Sequence, residues 1–184
     1  ESTAFVSGEG VEAPPGFTTY PGYTAAGVFQ LGAIEQFASG ANGAFVAAPN
    51  GGDVLIDAIT GLKMQYRAGA NWFMNRSTLG AVRKLKDSEG AYLWQPGIAA
   101  GQPSTLLAYG VAQFEDMVYF DSATGALAIA FGNMAETYQI VDRPGIRTLR
   151  DPFTNKPYVK FYSTKRVGGD VVNFESLKLI SFTA

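Results

Sequence analysis

The chain has 184 residues, 47% of them hydrophobic and 16% charged, a formal net charge of −2, and neither His nor Cys. That length supports one domain, or two small lobes on one chain, with a real core. The two missing residue types exclude Ser-His-Asp and Cys-His catalysis, Cys/His zinc sites, disulfides and thiolate chemistry, and the charge excludes a strongly basic nucleic-acid binder.

Residues 1–10 read as an extended segment. They lack the basic start and apolar stretch of a signal peptide. With no initiator Met, the sequence reads as a processed or truncated C-terminal piece of a longer protein. No apolar run approaches membrane-span length, and the longest, 125–131 and 177–182, are strand-sized. The first quarter is loop-rich, with turns at Pro14-Pro15-Gly16, Pro21-Gly22, Asn42-Gly43 and Asn50-Gly51-Gly52, and a short strand predicted over 43–48.

Asp53 precedes Val54, Leu55, Ala58, Ile59, Leu62 and Tyr66, which share one helical face, so a helix is predicted there with Asp53 as its N-cap. Residues 70–74, with Trp72 and Phe73, read as a buried strand. Asn75 or Ser77 then caps a second helix whose apolar positions Leu79, Val82 and Leu85 are three apart. Arg83, Lys84 and Lys86 lie near its C-terminal end, where cations oppose the helix dipole. Gly90 stops it, and 91–94 starts another extended piece. Beyond that, 106–113, 125–131, 137–141, 146–150, 158–167 and 170–182 read as strands, with 150–157 as the tip of a long hairpin. The class is α+β, with helices in the middle and β-structure dominating the end.

Charge is unevenly placed. Residues 141–170 hold seven cations (Arg143, Arg147, Arg150, Lys156, Lys160, Lys165 and Arg166) against Asp142, Asp151 and Asp170, a balance of +4 that leaves −6 elsewhere. Two readings follow. The positive segment of one copy meets an acidic surface of another, or a solvated β-ribbon uses its charges to protect its edges.

Little in the sequence carries catalysis. The phosphate-loop, dinucleotide and nucleophile-elbow motifs are absent, as is an Asp-rich calcium loop. Glu115 and Asp116 diverge if their stretch is extended, so they read as loop-solvating residues rather than an acid–base pair. The sequon Asn75-Arg76-Ser77 reads as a helix N-terminus. Trp72 and Trp94 read as core anchors whose indole N–H groups need partners. Weak, non-specific phosphate contact by the basic stretch, with Phe153, Tyr158, Phe161 and Tyr162 interleaved, stays open. No residue is assigned a catalytic, cofactor-binding or metal-binding role.

Several segments carry a resemblance when taken in order. They are Ala4-Phe5-Val6-Ser7-Gly8-Glu9-Gly10 with Pro15-Gly16-Phe17, then Trp72-Phe73-Met74-Asn75, then Lys86-Asp87-Ser88-Glu89-Gly90-Ala91-Tyr92-Leu93-Trp94-Gln95-Pro96. Gly101-Gln102-Pro103, Tyr109-Gly110-Val111, Phe131-Gly132-Asn133-Met134, Tyr138 to Arg143, and the tail through Val167 to Leu179 complete the set. Together they resemble the C-terminal portion of tailed-phage major capsid proteins of the Hong Kong 97 type.

The resemblance implies a mixed axial (A) domain, with a central sheet and flanking helices, over 22–131 and 167–184. It implies a partial peripheral (P) domain with an elongated β-ribbon over 1–21 and 132–166. The family's N-terminal arm, E-loop and spine helix would precede this segment. Some members weld subunits by a Lys–Asn isopeptide bond assisted by a Glu. Asn155 lies near the acceptor position, but Ser163-Thr164-Lys165 stands where the Glu would fall, so cross-linking is not expected and Asn155 reads as a turn residue.

The function implied is that of a structural, non-enzymatic subunit of an icosahedral phage or prophage capsid. Its partners would be copies of itself, in pentamers and hexamers of the full-length form, around non-specifically packaged DNA. It would need no cofactor or membrane, and its place would be the virion, assembled in the bacterial host cytoplasm. The seven cations are then candidate intersubunit contacts, and 88–101 a candidate axis-facing loop. Alternatives are the shell of a gene transfer agent, an encapsulin-like compartment and, from another class, a carboxylate-dependent hydrolase revealed by a cleft with paired acids.

Overall fold

The computed structural model describes residues 2–11, 13–24, 29–47, 50–94, 105–121, 123–143 and 145–184. It begins with a helix, α1 (Ser2–Ser7), where the sequence reading expected an extended segment. Six residues show no helical period, and distant contacts hold this turn in place. Val6 is buried, and the chain folds back so that Phe17 and Thr18 donate to the carbonyls of Phe5 and Val6 at 3.2 and 3.1 Å. Gly8 is required at the reversal, because a Cβ there would lie 2.1 Å from the Pro14 carbonyl oxygen.

The main sheet starts with β1 (Gly22–Tyr23) and β2 (Ile34–Ala38). The strand expected at 43–48 is absent from the residues described there, which form bends and turns. β2 escaped notice because Glu35 and Gln36 interrupt its apolar pattern, although Glu35 is buried.

α2 (Asp53–Gly61) follows, then the single turn α3 (Met64–Arg67). The N-cap of α2 is Gly52, not Asp53, and no side chain caps it; Asp53 instead places its carboxylate in the first turn, where the dipole favours it. The helix ends before Tyr66. At its end the Arg67 guanidinium donates to the carbonyls of Leu62 (2.8 Å) and Thr60 (3.2 Å), partners that terminal helical carbonyls otherwise lack.

β3 (Asn71–Met74) leads into α4 (Arg76–Arg83), capped by Asn75, whose side chain accepts from the Ser77 N–H at 3.0 Å. The amide of Asn75 also donates to the carbonyls of Glu115 (3.0 Å) and Met117 (3.4 Å), and the residue is fully buried. The sequon is therefore a helix start, as read. Asn75→Ala is expected to cost about 1–3 kcal/mol, losing a cap and leaving carbonyls unpaired. Urea unfolding checks this, with Asn75→Asp recovering the cap contribution alone.

The strand expected at 106–113 is a hairpin, β4 (Thr105–Leu106) and β5 (Tyr109–Gln113), joined by Leu107 and Ala108 at φ of 50° and 71°. Two-residue hairpin loops favour such angles, normally with Gly or Asn, so neither residue advertises the turn. Both tryptophans find the partners they need on β4. Trp72 Nε1 donates to Leu106 at 3.0 Å, and Trp94 Nε1 to Thr105 at 2.8 Å.

β6 (Ala126–Gly132) and the turn α5 (Met134–Thr137) precede β7 (Tyr138–Asp142), β8 (Arg147–Asp151), β9 (Lys160–Thr164), β10 (Val167–Val171) and β11 (Leu177–Phe182). The run expected as one strand over 170–182 breaks between β10 and β11. There Asn173 Oδ1 accepts from the Glu175 N–H at 3.0 Å, a side-chain-closed turn.

The sheet order is β1-β2-β11-β6-β3-β5-β4. β11 pairs parallel with β2 and antiparallel with β6, and all six of its residues are buried. A strand covered on both faces reads as continuous burial. On one face lie Val54, Leu55, Ala58, Leu79 and Val82 of α2 and α4, against Trp72, Met74, Phe131, Ile180 and Phe182. The other face packs Val6, Phe17, Met117 and Val171 against Phe73, Ala130, Leu177 and Leu179. Two antiparallel ribbons, β7–β10 and β8–β9, stand apart from the sheet. No helix among the described residues is long and apolar enough to cross a membrane.

Candidate assembly surfaces

All seven cations singled out in the sequence lie on or between these ribbons. Arg147 and Arg150 are in β8 and Lys160 in β9, while Lys156 lies in the tip that joins them. Arg143 follows β7, and Lys165 and Arg166 link β9 to β10. In the β8–β9 register, Arg147 faces Thr164, Leu149 faces Tyr162, Arg150 faces Phe161 and Asp151 faces Lys160. Paired residues share a face and successive pairs alternate. One face therefore carries Arg147, Leu149, Lys160 and Tyr162, and the other Arg150 and Phe161.

The exposure of this ribbon is unusual for its composition. Leu149 is 65% exposed, Phe161 and Tyr162 67% each, and Phe153 at the tip 81%. A two-stranded ribbon is marginal by itself, and contiguous exposed apolar side chains mark interaction surfaces. Asn155 lies in the tip, its carbonyl accepting from the Tyr158 N–H at 2.8 Å, which is the turn role read from the sequence.

The structure separates the cations into two groups. Arg143, Arg147 and Arg166 converge with Gly145 and Thr164 on one cleft of about 400 Å³. It forms where the two ribbons meet, and the Arg143 N–H donates to the Arg166 carbonyl there at 3.1 Å. Arg150, Lys156 and Lys160 lie further along the β8–β9 arm and do not line it. Lys165 makes an ion pair with Asp142 at 2.9 Å.

The other two local anions are also engaged. Asp151 accepts from the Thr154 hydroxyl and from the N–H groups of Phe153 and Thr154, which together hold its carboxyl below the usual range. Asp170 accepts from the Tyr20 hydroxyl and the Val171 N–H. Burial, then the Asp170 carboxylate, pushes the Tyr20 phenol up to about 12.

A second cleft, about 780 Å³, lies over β2, β11 and α2 and contains Glu35, Asp57 and Glu175. Glu35 is bound to Lys178 at 2.5 Å, with both side chains buried, and Glu175 to Lys63 at 2.8 Å. Acid–base hydrolysis needs one carboxyl free to hold a proton while another stays ionised. Here two of the three carboxylates are committed to lysines. Glu115 and Asp116 lie in a turn and face different partners, Arg76 and Thr3. No group of three His, Cys, Asp or Glu residues that could hold a metal is found among the described residues.

Sequence reasoning missed both clefts. Thr164 and Gly145 carry no motif, and Glu35 and Lys178 are 143 positions apart, so only the folded sheet brings them together. Of the loop proposed at 88–101, residues 95–101 lie outside the described residues. The remainder turns at 88–90 and places Leu93 and Trp94 beside Leu55, Ile56 and Val82 in an apolar groove of about 210 Å³.

Comparisons with known proteins agree on one kind of relative. The sequence model described as the phage capsid family matches residues 1–182. Two solved capsids of GTA particles, one empty and one native, are each 47% identical to this chain, with TM-scores of 0.86 and 0.87. Each match covers 99% of this chain and 60% of the other, so the chain spans about three fifths of the length of those proteins. A Gordonia phage Cozz chain matches at 16% identity and a TM-score of 0.50, over 88% of this chain and 56% of that one, a likeness of fold alone. No curated protein sequence matches.

Proposed function

Because the chain belongs to the phage capsid family, we propose that it is a structural subunit of an icosahedral shell that assembles from many copies of itself around DNA. The observation that carries this is the β8–β9 ribbon. It holds large apolar side chains and six of the seven cations of 141–170 in or beside exposed strands, with no cover from its own chain among the described residues. Such a surface is completed by a neighbour, and repetition of one heterologous contact closes a shell.

Within this reading the axial domain spans 22–131 and 167–184, and the peripheral domain spans 1–21 and 132–166. The seven-stranded sheet supports the first and the β8–β9 ribbon the second, while β7 and β10 pair across the boundary. The boundary at 167 falls where the chain turns back along β7. The place of action is the virion, after assembly in the bacterial cytoplasm.

Electron microscopy of the full-length protein, expressed alone or with neighbouring genes, tests the class. Hollow icosahedral particles are expected, and persistent monomers would overturn it. Reversing charge at Arg143 and Arg147 together in that protein should lower particle yield by roughly tenfold or more. Undiminished yield removes the basic ribbon from assembly.

A gene transfer agent shell is the second reading, supported by the 47% identity over 99% of this chain to two GTA capsids. Sequencing the DNA inside purified particles separates them. Fragments of the host chromosome fit the first, and a single viral genome the second.

A further inference from the structure

We propose that the cleft lined by Arg143, Arg147, Arg166 and Thr164 is a carboxylate-binding site, and that its occupant is an acidic side chain of a second copy of this chain. The inference rests on the shell reading and specifies which segment of the ribbon recognises the neighbour and by what chemistry.

Three arginines, one after β7, one in β8 and one just before β10, line one cleft of about 400 Å³. Its frame is fixed by main-chain bonding. Arg147 faces Thr164 in the β8–β9 ladder, Asp142 faces Val167 in the β7–β10 ladder, and the Arg143 N–H joins the Arg166 carbonyl. Like charges gathered on one cleft repel one another, and an anion placed between them relieves that repulsion.

Among the described residues, the chain does not supply that anion. The three arginines make no ion pair among the described residues, and every carboxylate of 141–170 is already engaged: Asp142 by Lys165, Asp151 by Thr154, and Asp170 by Tyr20. An empty set of donors beside satisfied acceptors indicates a ligand from outside. Arginine forks fit planar two-oxygen groups bidentately, and the Thr164 hydroxyl adds a donor that is not charged.

Charge selects the source. The rest of the molecule carries −6, so a second copy brings acidic residues to a basic cleft with complementary sign. A polyanion such as duplex DNA would meet that same −6 over most of the surface, and three arginines release few counterions against it.

The test uses the full-length protein and the triple variant R143Q/R147Q/R166Q, with K84Q as an exposed-lysine control. Fluorescently labelled hexaglutamate is titrated into unassembled protein by anisotropy, with inorganic phosphate and a short DNA duplex as competitors. Saturable binding is expected, weakened roughly tenfold or more in the triple variant and unchanged in K84Q. Shell assembly should fall with it. Equal peptide binding by the triple variant, or normal shells from it while wild type also assembles, overturns the site and leaves the shell reading intact. Cleft-dependent binding of DNA or phosphate without hexaglutamate binding overturns the occupant. Failure of wild type to form shells overturns the shell reading itself.

Discussion

Replacing Lys178 by Met should destabilise the fold by roughly 3–5 kcal/mol, whereas E35L/K178M should be near neutral or stabilising by about 1–4 kcal/mol. Lys178 and Glu35 face each other on parallel neighbours β11 and β2, 2.5 Å apart, with side chains only 6% and 7% exposed. Desolvating both charges costs free energy that their mutual attraction largely offsets. Removing one leaves the other buried without a counter-charge, and the penalty then stands alone. A double-mutant cycle in urea unfolding measures both numbers. A single K178M variant as stable as wild type would mean that water reaches Glu35 from the cleft above it.

The second large effect is expected at Trp72. Trp72→Ala should cost about 3–5 kcal/mol, the usual range for an aromatic removed from a packed core. The ring is fully buried against Phe131, with centroids 4.3 Å apart, and Phe131 in turn meets Tyr109 edge-on at 5.0 Å. The indole N–H also anchors β4 through Leu106. Trp72→Phe keeps most of the apolar contact but loses that bond, so it should cost clearly less than alanine. Thermal unfolding separates the two. Equal losses would place the whole effect in the hydrogen bond.

What the sequence made legible follows from where burial produced a period. Helix α4 announced itself through Asn75, Leu79 and Val82 because capping and packing act locally. β3 and β6 were found because both their faces are apolar. β2 was lost because a buried glutamate occupies a core position, and only Lys178, far away in sequence, makes that tolerable. The β4–β5 turn was lost because Leu107 and Ala108 adopt left-handed angles that glycine or asparagine normally signals. The N-cap of α2 was misplaced by one residue because Asp53 suits the first turn as well as the cap. The basic residues of the ribbon were visible as a charge bias, but their division into a three-arginine cleft and a separate arm needed the strand register. The family resemblance rested on ordered motifs, and the phage capsid family model matches residues 1–182.

The central position of β11 sets the order in which this molecule can fold. β2 has no partner on its inner side until a strand more than a hundred residues later arrives, since the Glu35–Lys178 contact spans 143 positions. Closing so long a loop consumes chain entropy before any sheet contact returns it, which makes folding slow relative to a protein of local contacts. A nascent chain on the ribosome therefore carries β2 with its inner edge open. Among many copies made together, that edge can accept β11 from a sister chain as readily as its own. Slow closure of the sheet, with exposure of β2 to sister chains during high-level synthesis, is the expected consequence of a central strand placed late in the sequence.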